Sequence, residues 1–160
     1  MTTRGFTFIE LLVSVTLLLL LSGLMVAGYN GFNDTQTVAQ ATSTFKNNLR
    51  SVRTYATSGV KPAGCDTLIG YEVDFLTTAS YTSTALCDVG GTTQKVGVLA
   101  NYTLSPGVQF SMLPLTVTFY ATGQGTTPDQ TMTILGNKKS ASVIISGSGV
   151  IGDTVPTPVP

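Results

Sequence analysis

Phe6-Thr7-Phe8-Ile9-Glu10-Leu11-Leu12-Val13-Ser14-Val15-Thr16-Leu17-Leu18-Leu19-Leu20-Leu21-Ser22-Gly23-Leu24-Met25-Val26-Ala27-Gly28 decides how this chain is read. The run holds a single charge, Glu10. At 1.5 Å per residue it makes about 34 Å of helix, enough to span a hydrocarbon core ~30 Å thick. A carboxylate at the centre of such a span costs about 2.5–3.5 kcal/mol, and less near an end. Glu10 therefore needs a compensating partner. Arg4 precedes the run and the next Lys or Arg is Lys46. The positive-inside bias then puts the N-terminus in the cytoplasm and residues from about 29 onward outside.

Outward from this run, composition narrows the function. Of 160 residues, 10% are charged and the net charge is zero. Cytosolic domains carry about 25% charged residues. There is no His, which excludes a Ser-His-Asp triad and any His-based metal site. The acids are scattered, and no catalytic residue, cofactor or metal is expected. Cys65 and Cys87 are the two cysteines. Outside a membrane their plain reading is a disulfide, closing a loop that contains the next strand and stabilising by about 3 kcal/mol. Two Cys alone make an incomplete metal site.

The helical pattern continues past Gly28. Tyr29, Phe32, Val38, Ala41, Phe45, Leu49, Val52 and Ala56 recur mostly at gaps of three or four, as one helix face requires. One helix is expected from about Phe6 to Ser58, ended by Gly59 and Pro62. Its first half is apolar all round and its second half is amphipathic. Gly23, Gly28 and Gly31 mark the junction. They signal either close packing or a place where the helix can bend or melt, since each costs about 1 kcal/mol against Ala.

From residue 63 the period becomes that of strands. Candidates are Leu68–Phe75, Tyr81–Leu86, Val96–Leu104, Val108–Met112, Leu115–Ala121, Thr131–Leu135 and Ala141–Ile145, with Val150–Ile151 returning. Gly90-Gly91, Ser105-Pro106-Gly107, Gly123-Gln124-Gly125, Gly136-Asn137 and Gly147-Ser148-Gly149 separate them as turns. The fold class is α+β: a long N-terminal helix, its first half membrane-spanning, packed by its amphipathic second half on an antiparallel sheet. The Pro-rich tail from Pro156 to Pro160 is expected to be extended and loosely held.

Gly5-Phe6-Thr7-Phe8-Ile9-Glu10 resembles the prepilin signal of type IV pilins and type II secretion pseudopilins. Members of that family have a short polar leader ending in Gly, then Phe, a Glu four residues on and an apolar helix. The resemblance implies a leader at 1–5, a transmembrane or filament-core helix at 6–28 and its amphipathic continuation at 29–58. A globular β domain follows at 59–155, with a tail at 156–160; together this is the pilin fold. It further implies cleavage after Gly5 by a prepilin peptidase, N-methylation of Phe6, and pairing of Glu10 with the Phe6 amine of a neighbouring subunit. Major pilins usually carry a Pro in the mid-membrane helix region, which is missing here.

A second likeness is to the GspH/FimT-type minor pseudopilins. It is carried by Leu49-Arg50-Ser51-Val52-Arg53-Thr54-Tyr55-Ala56, by Leu115–Gly123 followed by Thr131–Leu135 as a strand, Gly turn, strand unit, and by Ala141–Ile151 closing the sheet. The family implies a structural role rather than an enzyme. Its partners would be other pilin or pseudopilin subunits, the inner-membrane assembly platform and, before assembly, membrane lipid. The subunit would begin in the inner membrane and end in a periplasmic or cell-surface filament, as a minor subunit or, alternatively, a major one. Lys46, Arg50 and Arg53 share a helix face and Lys61 follows. DNA contact by a competence or adhesion pilus is the sharper reading of these; a solvated face, or pairing with acids such as Asp66 and Asp74, is the plainer one and is preferred.

Overall fold

A computed structural model of the chain describes residues 7–159 apart from Leu115, Gln124 and Pro128; the side chains of residues 24–30 and of Thr127 lie outside the description. One helix, α1 (Phe8–Thr57), runs unbroken through the glycine junction. Gly59 ends it: its φ of 66° lies in the left-handed region, and its N–H turns back to Ala56 O at 3.2 Å.

Ten strands follow among the described residues: β1 (Thr67–Thr77), β2 (Ser80–Val89), β3 (Thr92–Thr103), β4 (Gln109–Phe110), β5 (Val117–Tyr120), β6 (Thr126–Thr127), β7 (Gln130–Leu135), β8 (Lys139–Ile145), β9 (Ile151–Asp153) and β10 (Thr157–Pro158). All pairings are antiparallel. The fold is therefore α+β, as the periodicity implies.

The strands divide between two sheets where one was expected. The first has the order β3-β2-β1-β5-β6; in the second, β10-β8-β7-β4, β9 also pairs with β8. The predicted unit of residues 115–123 with 131–135 does not form. β5 pairs with β1, whereas β7 forms its hairpin with β8. The chain crosses between sheets at Thr126, whose N–H donates to Gly147 O at 2.9 Å and whose hydroxyl donates to Ser146 O at 2.8 Å. The tail also departs from expectation. Thr157 and Pro158 pair with Ser140 and Lys139, and Val159 N–H donates to Lys138 O.

The core lies between the sheets and the second half of α1, which packs on β1, β5, β7, β8 and β9. Val38, Ala41, Phe45, Leu49, Val52 and Ala56 are all buried, one stripe at helical spacing. Phe45 is its anchor, with edge-on contacts to Tyr81 at 5.1 Å and Phe110 at 5.2 Å between ring centroids. Each large side chain buried here contributes about 1.5–3 kcal/mol. Phe32 does not join the stripe, being 63% exposed; the buried position at that level is Asp34. Tyr29 lies outside the described side chains.

Cys65 and Cys87 form the expected disulfide, with a Cα–Cα distance of 5.5 Å. It ties the segment entering β1 to the end of β2, opposite Leu68.

Candidate functional site

The candidate site is the N-terminal half of α1. Gly5 and Phe6, the expected cleavage and methylation positions, lie outside the described residues. Thr7 is the N-cap, with extended backbone, and its hydroxyl oxygen accepts from Glu10 N–H at 3.3 Å. Thr7-x-x-Glu10 thus has the spacing of a capping box. The cap is made by Thr7, with Glu10 supplying only its backbone N–H, although the spacing is visible in the sequence. A carboxylate in the first turn also meets the positive end of the helix dipole. Among the described residues, the Glu10 carboxylate itself has no hydrogen-bond or ion-pair partner.

Beyond the cap, every large apolar side chain from Phe8 to Leu21 is exposed, Phe8 at 80% and Leu19 at 69%. Among the described residues nothing covers this half, and its exposed residues surround the helix axis. Ser14, Thr16 and Ser22 turn their hydroxyls back to backbone carbonyls of the preceding turn. The polar atoms in this stretch are thereby satisfied inside the helix, as an apolar environment requires. Among the described residues no helical segment is long and apolar enough to cross a membrane. The residues that complete the 6–28 run, 24–28, fall among the undescribed side chains. A Cβ at Gly23 or Gly31 would meet nothing within 4 Å, so packing inside this chain does not require glycine at either position.

Where the helix enters the body, Asp34 is 7% exposed and its carboxylate accepts from two backbone N–H groups, Asn137 at 2.9 Å and Lys138 at 2.7 Å. Those are the tip of the β7–β8 hairpin. The approach needs Gly136, whose Cβ would lie 2.6 Å from Val38 Cγ2 and 2.7 Å from Asp34 Oδ1. Sequence reading passed over Asp34, because nothing local marks a helix acid as the cap of a turn a hundred residues away.

The basic stripe turns toward the second sheet. Lys46 Nζ meets Asp153 Oδ1 at 2.7 Å, and Arg50 donates to Ile151 O at 3.3 Å. Both bind β9, where a solvated face or pairing with acids such as Asp66 and Asp74 was expected. Arg53 lies beside Gly149, and Lys61 donates to Asp66 O at 2.8 Å. Asp74 and Glu72 bind Lys95 instead, on the outer face of the first sheet. Burial works to lower the Lys95 ammonium, but its hydrogen bonds to Asp74 and Glu72 and their charges outweigh this and hold it above its ordinary value. In the core, burial pushes the Tyr81 hydroxyl up to about 12, against the lowering effect of the hydrogen bond from Asn48 Nδ2 at 2.9 Å.

No three His, Cys, Asp or Glu side chains among the described residues cluster as metal ligands. Comparison with protein-family models, with curated proteins and with solved structures found no match for this chain.

Proposed function

We propose that this chain is a structural subunit of a type IV pilus or type II secretion pseudopilus, of the minor pilin or pseudopilin kind. One observation carries the reading: a single unbroken helix whose second half is buried on two sheets and whose first half is apolar, exposed all round and headed by one acid. A helix apolar on every side must be covered by lipid or by other helices. In the reading proposed here it has lipid first and neighbouring subunits later.

The chemistry of the N-terminus follows. Cleavage after Gly5 by a prepilin peptidase frees the Phe6 amine, whose reference pKa near 8 leaves it cationic. That amine stands at the start of one helix and Glu10 one turn into its neighbour. Among stacked apolar helices their attraction is strong, and either charge left alone is costly. Each subunit added to the base of the filament is thereby set in register. The β domain decorates the outside.

The placement of Lys46 and Arg50 against β9 weighs against a DNA-binding role for that stripe. The minor-subunit assignment rests on the sequence likeness alone. Mass spectrometry of the mature N-terminus tests the processing step. The expected product begins at N-methylated Phe6; a product beginning at Tyr29, as a secretory signal cut after the small residues Val26-Ala27-Gly28 would leave, would end the proposal.

A further inference from the structure

The β7–β8 hairpin lies at the end of the body from which the apolar half of α1 emerges. Asp34 fixes it there, through the two backbone hydrogen bonds at Asn137 and Lys138. Together with Pro106 and Gly107, these residues border a polar cleft of about 450 Å³ at the root of the helix. The backbone of Lys138 is therefore held at the level of helix residue 34. From there to Gly28, the end of the apolar run, the axis descends about 9 Å at 1.5 Å per residue. The interfacial layer on each side of a bilayer is about 5–7 Å thick. The long stem of a lysine closes most of what remains.

Among the described residues the charges at this end are Lys138 and Lys139 against the single carboxylate of Asp34, a net positive balance. Lys138 is exposed and Lys139 half-buried, and neither has an ion-pair partner among the described residues. Asp34 is spent on backbone N–H groups. Other acids lie elsewhere: Asp66 and Asp88 at the Gly90-Gly91 turn, Glu72 and Asp74 on Lys95, Asp153 on Lys46 and Asp129 beside Gly147.

We propose that Lys138 and Lys139 rest on anionic phospholipid headgroups while the apolar half of α1 is embedded in the membrane. This inference depends on the membrane stage of the function proposed above. It gives the body a preferred attitude, hairpin end toward the lipid, and a contact that must break when the subunit leaves for a filament. Near a charged surface each lysine shifts the balance about fivefold.

The full chain in nanodiscs carrying a headgroup spin-labelled lipid supplies the test. Paramagnetic broadening is read at the amides of residues 137–139 and, at the opposite end of the body, of Gly90 and Gly91. Discs of phosphatidylcholine are compared with discs containing phosphatidylglycerol. The expected result is broadening at 137–139 that rises several-fold with phosphatidylglycerol and falls back at high salt and in the K138Q/K139Q variant. Both side chains leave the core untouched, and unchanged amide positions elsewhere verify the fold. Broadening indifferent to lipid charge or to the lysines overturns the inference alone. A chain that fails to enter the discs overturns it together with the membrane stage.

Discussion

The two halves of α1 share one backbone and opposite surroundings. Between Val38 and Ala56 every stripe residue is buried and the polar face is tied down, by Lys46 to Asp153 and by Asn48 to Tyr81. From Phe8 to Leu21 the large apolar residues are exposed on all sides. The second half is stabilised by this chain's own sheets. The first half lacks such a partner among the described residues; under the function proposed above, lipid or neighbouring subunits supply it. That contrast teaches where each kind of substitution should be felt: folding in the second half, assembly in the first.

The largest expected effect comes from exchanging an apolar residue for Ala in each half. Phe45→Ala removes the ring shared by Phe75, Tyr81 and Phe110, and should cost about 3–5 kcal/mol in thermal or denaturant unfolding. Leu18→Ala, at 63% exposure, should leave body unfolding within about 0.5 kcal/mol of the parent. Similar losses from both would erase the contrast.

A smaller effect sharpens it through pH. Tyr81 is neutral and buried in the folded state, with its hydroxyl near 12, while in the unfolded chain it returns to the ordinary value near 10. Its contribution is fully present below pH 10 and is lost as pH rises toward 12, about 2–3 kcal/mol in all. Alkaline unfolding should therefore steepen in that window. Tyr81→Phe should flatten the window, at the expense of the hydrogen bond with Asn48. An unaltered pH profile would mean that the ring is hydrated.

What could be read from the sequence was local. The helix, its glycine stop, the stripe from Val38 to Ala56 and most strands follow from spacing and turn residues. The Cys65–Cys87 pairing followed from two cysteines on the outer side of a span. What escaped depends on distant segments meeting. The division into two sheets is decided by β5 choosing β1, and β7 choosing β8, a choice that similar Thr-rich strands do not announce. Asp34 reads as a surface acid until Gly136 comes against it. Lys46 and Arg50 read as a free basic face until β9 arrives. Phe32 fits the apolar period yet lies short of the body, so spacing alone assigns it to a core that begins at Val38, nearly two turns later. The tail looked loose because its prolines discourage pairing, but an edge strand tolerates them, and β10 is an edge. In the candidate site the acid is plain and the Thr7 cap beside it is not, since the cap is a matter of backbone geometry rather than charge.

Glu10 allows the most direct test. Glu10→Gln retains a residue suited to a capping box and removes the charge, whereas Glu10→Ala removes both. Incorporation into filaments should be measured for each variant beside the parent, with membrane insertion and cleavage checked as intact. Leaving a buried amine without its carboxylate costs about 3–5 kcal/mol, so Gln should reduce incorporation at least about tenfold, as Ala does. Normal incorporation of the Gln variant would contradict the account and leave the Glu10 charge without a role in assembly.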